Sequence, residues 1–245
     1  MVQIGTPAYY FESLPSTNDY AAQLIANKSP REGTIVITDN QTAGRGQHRR
    51  KWHTSVGENI TMTVILSPSW LAIKDQFGLN IMSSLAVVNT VKSITGQLAK
   101  VKWPNDVYVG DRKIAGILIQ NYIQGKYIRN SIVGIGLNVN QTEWPDDATN
   151  PISIRLLGQE VSVEEVRERL LQELSVQYSQ LQLFPKEITK NYKRQLYRRD
   201  ERAVYKIEDE IFSGVIRDID PMGRLVVEVE GGYKSFAHGE VQFVK

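Results

Sequence analysis

The chain has no cysteine among its 245 residues. That excludes disulfide bridges, thiolate metal sites and a cysteine nucleophile, and it fits a reducing compartment. Histidine is scarce as well. His48, His53 and His238 have no metal-ligand spacing, and no Ser/His/Asp arrangement accompanies them, so a zinc site and a serine hydrolase find no support. No apolar run is long enough to span a bilayer. Met1 to Tyr10 lacks the charged region and apolar stretch of a signal peptide. An excess of one charge is missing too: 29 Lys and Arg oppose 27 Asp and Glu, and the net of +2 does not by itself argue for nucleic acid. The Gly-Lys-Ser/Thr ending of a Walker loop and a GxGxxG fingerprint are absent. So are internal repeats and low-complexity tracts. The expectation is a soluble, cytoplasmic protein without a membrane partner.

What is present is an ordinary globular balance, 41% apolar and 23% charged, on a chain long enough to bury a substantial core. The length suits one large domain and one small one, placed at 1–197 and 198–245. Ser16 or Thr17 can cap a short helix carrying Tyr20, Leu24 and Ile25. Thr34 to Thr38 reads as a strand, as does Asn59 to Leu66, where threonines alternate with Ile60, Met62 and Val64. Phe77, Ile81, Leu85, Val88, Val91 and Leu98 recur at helical spacing and predict a long helix over 77–98 that covers a sheet. Val107 to Val109 and Ile114 to Gln120 flank Gly110-Asp111-Arg112, a hairpin signal. Tyr127 to Val133 is another strand, leading into the glycine-rich Gly134 to Asn140. Ser162 with Glu165 makes a capping box that opens a helix through Leu181, and a shorter helix follows near 188–196. Beyond the polar Arg198 to Arg202 come short strands at 204–207, 211–219, 225–229, 233–237 and 241–244, with turns at Pro221-Met222-Gly223 and Gly231-Gly232. The expected fold is α+β, a mixed β-sheet covered by helices and followed by a small SH3-like β-barrel.

Five stretches carry candidate chemistry. Gly44 to Trp52 holds two glycines, three arginines and a lysine. Glycines let backbone approach an anion, and arginines hold phosphate oxygens bidentately. Trp52 offers a face on which a base can stack. The bland alternative is a solvated basic loop. Lys102-Trp103-Pro104-Asn105-Asp106 sets a lysine and a carboxylate just after a strand, where Pro104 forces the chain out of the sheet. Asp106 could hold Mg²⁺ there, or the segment is only an Asn-Asp turn. Lys113 opens an apolar strand. It either snorkels to solvent or neutralises reacting anions. Gly116, Gly134 and Gly136 within strands suggest close approach of a ligand or a backbone, or bulges. Ser16-Thr17-Asn18 is a helix cap, or a cradle for a small polar group.

Taken together and in order, these stretches resemble the biotin protein ligases. The Gly-Arg-Gly loop ending in Trp, Lys-Trp-Pro-Asn-Asp, Arg-Lys-Ile-Ala-Gly-Ile-Leu and Gly-Ile-Gly-Leu-Asn-Val-Asn look like that family's signature. The likeness extends over nearly the whole chain and implies a class II synthetase-like catalytic domain at 1–197. It also implies ATP and Mg²⁺ as cofactors, biotin as substrate, and the biotin carboxyl carrier domain of a carboxylase as protein partner. Ser16, Thr17 and Gln41 would hold the biotin ureido end, Gly44, Arg45 and Gly46 would belong to the loop that closes over biotin and the adenylate, and Asn18 and Gln47 would also bind biotin. Lys113 would contact the biotin carboxylate and the α-phosphate, acting catalytically with Arg45 and Lys102. Gly116, Leu118, Gly134 and Gly136 would line the biotin slot. Arg49, Arg50, Trp52, Asn105, Asp106 and Asn138 would serve ATP, Trp52 near the adenine and Asp106 near Mg²⁺. Some members carry an N-terminal DNA-binding domain. Here Ser-Thr-Asn begins at residue 16, which leaves no room for one, so the monofunctional kind is expected, as a monomer or a homodimer.

The chain departs from the family pattern in places. Arginine is usual where Gln47 stands, glycine where Arg49 stands and glutamate where Gln120 stands. Loss of a cation at 47 either weakens retention of the adenylate or is offset by Arg49. Two rival readings remain: a lipoate–protein ligase on the same broad fold, and, from another class, a nucleic-acid-binding module using the basic loop and the small barrel.

Overall fold

The structure is a computed structural model that describes residues 2–47, 50–148 and 150–244. Strand β1 (Ala8–Leu14) runs into helix α1 (Thr17–Asn27), whose N-cap is Ser16 in extended conformation with its hydroxyl accepting from Asp19 N. β2 (Ile35–Gln41) and β3 (Asn59–Leu66) follow, then α2 (Gly78–Thr95). Gly96 stops α2 in the left-handed conformation at φ +69, so the helix ends three residues before Leu98, which is exposed. β4 (Ala99–Lys102), β5 (Asp106–Val109), β6 (Arg112–Gln124) and β7 (Tyr127–Asn138) complete the first sheet. The expected glycine-rich stretch is itself strand as far as Asn138.

The sheet has seven strands in the order β1-β2-β3-β7-β6-β5-β4. β1 is parallel to β2 and the remaining pairs are antiparallel. Side chains alternate between its faces. Ile60, Met62 and Val64 of β3, with Val133, Ile135 and Leu137 of β7, join α2 in the main core. α3 (Val163–Leu183) and α4 (Pro185–Arg194) close this side. Ser162 caps α3, its Oγ accepting from Glu165 N, and Pro185 sits at the first turn of α4. On the opposite face α1 covers only one end, packing Ala21 and Leu24 on Val36, Ile65 and Ile132. The rest of that face, where Thr61, Thr63, Gly116, Leu118, Gly134 and Gly136 point, carries no helix.

After α4 the chain runs beside β4, with Val101 N donating to Gln195 O and Tyr197 N to Val101 O. A second, antiparallel sheet follows: β8 (Arg202–Ile207), β9 (Glu210–Ile219), β10 (Leu225–Val229), β11 (Gly232–Phe236) and β12 (Gln242–Phe243), in the order β11-β10-β9-β8-β12. Among the described residues no ladder joins β11 to β12, so this sheet is not closed into a barrel. It docks through the buried Trp103 indole, which donates to Gly223 O at 2.8 Å. Gly223 is required there: its φ is +81, and a Cβ would stand 2.1 Å from the Phe77 ring. Among the described residues no helix is long and apolar enough to cross a membrane.

Candidate functional site

The helix-free strip of the first sheet is the floor of a cavity of about 1420 Å³. Its roof comes from residues 45–47 and 50–52, from the segment after β7 around Trp144 and Asp147, and from the second sheet through His238 and Phe243. The strip is low because three inward positions are glycine. Gly116 pairs with Gly136, and Leu118 with Gly134, across β6 and β7. The two rungs are about 7 Å apart along the strands.

At the Gly134 rung the wall is polar. A Cβ at Gly134 would lie 2.3 Å from Asn18 Oδ1, so the glycine makes room for this side chain. Asn18 Oδ1 accepts from the buried Thr63 hydroxyl at 2.6 Å, while Asn18 Nδ2 is within 3.4 Å of Leu118 O. Gln41 Oε1 accepts from Thr17 N at 2.9 Å and from the Thr17 hydroxyl at 3.3 Å. That orientation turns the Gln41 amide nitrogen away from Thr17, beside Gly44. Gly44 itself does not line the cavity. A Cβ there would meet Trp52 O at 2.5 Å, and Trp52 N donates to Gly44 O, so Gly44 closes the neck of the loop.

At the Gly116 rung the wall is cationic. Lys113 Nζ lies 2.7 Å from Asp106 Oδ1, each side chain about a quarter exposed. The same ammonium is 5.5 Å from the centre of the Trp52 ring. The Trp52 indole stands over Gly116 and Gly136, against the glycines expected to line the biotin slot, and its Nε1 is buried with no partner among the described residues. Lys102 reaches the same cavity from β4 and donates to the Tyr108 hydroxyl at 3.2 Å. Burial, reinforced by the Asp106 carboxylate, pushes the Tyr108 phenol well above its ordinary value, so it stays neutral.

The remaining expected residues fall into two groups. Ser16, Gly46, Gln47 and Arg50 line the cavity, and Gln47 Oε1 is buried without a partner among the described residues. Arg45, Asn105 and Asn138 line it too and also help to build it. Arg45 forms an ion pair with Asp19 of α1. Asn105 donates to Ile117 O at 2.7 Å and accepts from Ile117 N, tying the Lys-Trp-Pro-Asn-Asp segment to β6. Asn138 donates to Ile152 O at 2.9 Å, leaving Oδ1 buried and unpaired among the described residues. Arg49 lies outside the described residues. Sequence reasoning missed Thr63, Asp19, Tyr108, Trp144 and Phe243. Only Thr63 had a signal, since the Ile60, Met62, Val64 alternation sends the intervening threonines to the opposite face.

Mg²⁺ commonly takes one or two carboxylates plus phosphate oxygens rather than a full protein cage. Asp106 fits that pattern, and among the described residues no cluster of three or more His, Asp or Glu groups offers an alternative.

Residues 10–138 match the model of the Biotin/lipoate A/B protein ligase family, and residues 203–244 that of the Biotin protein ligase C terminal domain. The chain is 36% identical over 146 residues to the bifunctional ligase/repressor BirA of Bacillus subtilis, across 59% of this chain and 44% of that protein. It therefore spans less than half the length of that relative. To the bifunctional ligase/repressor BirA of Salmonella typhimurium it is 30% identical over 237 residues, across 93% of this chain and 71% of that one. Among solved structures, the biotin protein ligase from Aquifex aeolicus in complex with biotin and ATP shares the fold. Its TM-score is 0.81 at 24% identity, over 98% of this chain and 99% of that one.

Proposed function

The chain belongs to the biotin/lipoate A/B protein ligase family, and from that membership we propose that it activates biotin with ATP and transfers it to a protein lysine. The acceptor in this reading is the biotin carboxyl carrier domain of a carboxylase, in the cytoplasm. The observation that carries it is the two-ended slot. Amide and hydroxyl groups of Thr17, Asn18 and Gln41 stand at one rung of a glycine floor, and Lys113 stands at the next. A short apolar acid with a polar head fits such a slot, its carboxylate beside the ammonium.

In the first half-reaction a carboxylate oxygen attacks the α-phosphorus. The bond to the bridging oxygen breaks, and pyrophosphate leaves. Two anions must approach, so charge neutralisation and alignment dominate. Lys113 serves the carboxylate and α-phosphate, and Lys102 and Arg50 the triphosphate. Asp106 would hold Mg²⁺, which would supply further charge neutralisation there. In the second half-reaction a neutral lysine amine attacks the acyl carbon. The acyl–oxygen bond breaks, AMP departs, and the amine's proton goes to solvent. The loop over the slot keeps water from the mixed anhydride meanwhile.

ATP–pyrophosphate exchange with purified protein, comparing biotin, lipoate, octanoate and no acid, tests the reading. Exchange that requires biotin supports it. Exchange with lipoate transfers the assignment to lipoate ligation. Absence of exchange with every acid refutes both and makes salt-dependent nucleic-acid binding the next test.

A further inference from the structure

Phe243, on the last strand of the second sheet, enters the site without any part in the scheme above. The Lys102 ammonium lies 5.0 Å from the centre of the Phe243 ring and 4.8 Å from that of Tyr108, on β5 of the first sheet. The two rings thus approach one cation from different sheets. Tyr197 bridges them, its ring 5.3 Å from Tyr108 and 6.3 Å from Phe243, and Tyr205 supports Phe243 edge-on at 5.4 Å. Tyr197 is fixed in turn by its hydroxyl on Asp111.

A lysine ammonium rides on four rotatable carbons and is costly to hold in one place. A ring face attracts a cation through its quadrupole and so narrows where the ammonium sits. We propose that Phe243 is a positioning residue for Lys102, which makes the C-terminal sheet a working part of the adenylation site. The proposal rests on the reading of Lys102 as a cation that meets the triphosphate.

The test uses the full chain, biotin-dependent pyrophosphate exchange, biotin calorimetry and thermal melting. Phe243→Leu is expected to lower kcat/KM for ATP about tenfold, within the range of a desolvated cation–ring contact, while the biotin Kd stays within about twofold. Phe243→Tyr keeps the ring face and restores exchange. Pentafluorophenylalanine at 243 keeps shape and burial but reverses the quadrupole, and reproduces the loss with an unchanged melting temperature even if Phe243→Leu unfolds the sheet. In a Lys102→Ala background Phe243→Leu adds no further loss, which a purely structural role would not give. Wild-type exchange in the pentafluoro variant, or losses that multiply in the double variant, overturns the proposal and leaves the reading of Lys102 standing. Normal exchange in Lys102→Ala alone overturns both, and places the failure in that reading.

Discussion

The Trp52 indole sits so close to Gly136 that a methyl group there would stand 2.3 Å from Cε2 and 2.6 Å from both Cζ2 and Nε1. No real Cβ tolerates that, and a packed ring cannot yield as a flexible chain end can. Gly136→Ala is therefore expected to expel Trp52 from the floor. The free variant should show altered tryptophan fluorescence, and pyrophosphate exchange should fall at least about tenfold, equivalent to roughly 1.4 kcal/mol. At Gly116 the contacts are softer, 3.1 Å to Trp52 Cζ3 and 3.4 Å to the end of Lys113, so Gly116→Ala should be milder. Equal losses at the two positions would count against this geometry.

Lys113 and Asp106 form a pair only partly withdrawn from water. Removing either should disturb stability modestly, because an ion pair still in contact with solvent contributes on the order of 1 kcal/mol. Exchange should respond far more. Lys113→Ala is expected to lower it about 10²- to 10³-fold, the usual cost of one preorganised charge-stabilising group. Asp106→Asn should also lose exchange, and added Mg²⁺ should not restore it. A Lys113→Ala enzyme with near-normal exchange and an unchanged melting curve would remove this lysine from the reaction.

Thr63 is fully buried and its hydroxyl donates to Asn18 Oδ1. Thr63→Val keeps the shape and deletes the donor, leaving a buried acceptor unpaired at a cost of about 1 to 3 kcal/mol. We expect a lower melting temperature together with a raised biotin Kd, since Asn18 loses the bond that orients its amide. A fall in melting temperature with unaltered biotin calorimetry would confine Thr63 to stability.

Asp220 gives the docked sheet a pH dependence. Burial opposes its charge, but this is outweighed by hydrogen bonds from Arg224 N, the Arg224 guanidinium and Met222 N, so its pKa is held below the ordinary value. With the folded pKa depressed, the stabilisation is present above the unfolded value, about 3.9, and is lost as pH falls through the folded one. The turn it fixes carries Gly223, the acceptor for Trp103. The gap in melting temperature between wild type and Asp220→Asn should thus shrink on going from about pH 6 to about pH 3. A constant gap would assign the difference to something other than this carboxylate's ionisation.

Gln47 stands in the loop with its amide oxygen buried and unpaired among the described residues. Gln47→Arg replaces that orphan with a cation at a site lined by Arg50 and Lys51. A slower adenylate off-rate is expected, followed by release of labelled product from the isolated complex. An unchanged off-rate would mean that 47 does not face the phosphate.

The elements with local signals were legible. Ser16 and Ser162 announce their helices through caps, Gly110 announces its turn, and the β3 alternation announces which face is core. Strand β1 carries no signal in residue type: burial alternates, with Tyr10 exposed between the partly covered Tyr9 and Phe11, but all three are aromatic, so no apolar–polar alternation marks the strand. The helix expected over 77–98 is longer than the observed one because apolar spacing continues to Leu98, past the stop at Gly96. Within the site, the sequence named which residue types gather but not whom they touch. Trp52 against Gly136 and Phe243 against Lys102 arise from pairings between distant segments, for which periodicity carries no information, whereas Lys113 meets Asp106 across the hairpin that Gly110 announces.

A floor made of glycine leaves little to select from. Any non-silent codon change at Gly134 or Gly136 can only add bulk, and both positions already touch another side chain. A mutagenesis library aimed at altering acid preference would spend most of its diversity there on dead variants. Heritable change in what the slot accepts must arise at the walls instead, at positions such as Thr61, Leu118 and Gln41, where a side chain already exists to be exchanged for another.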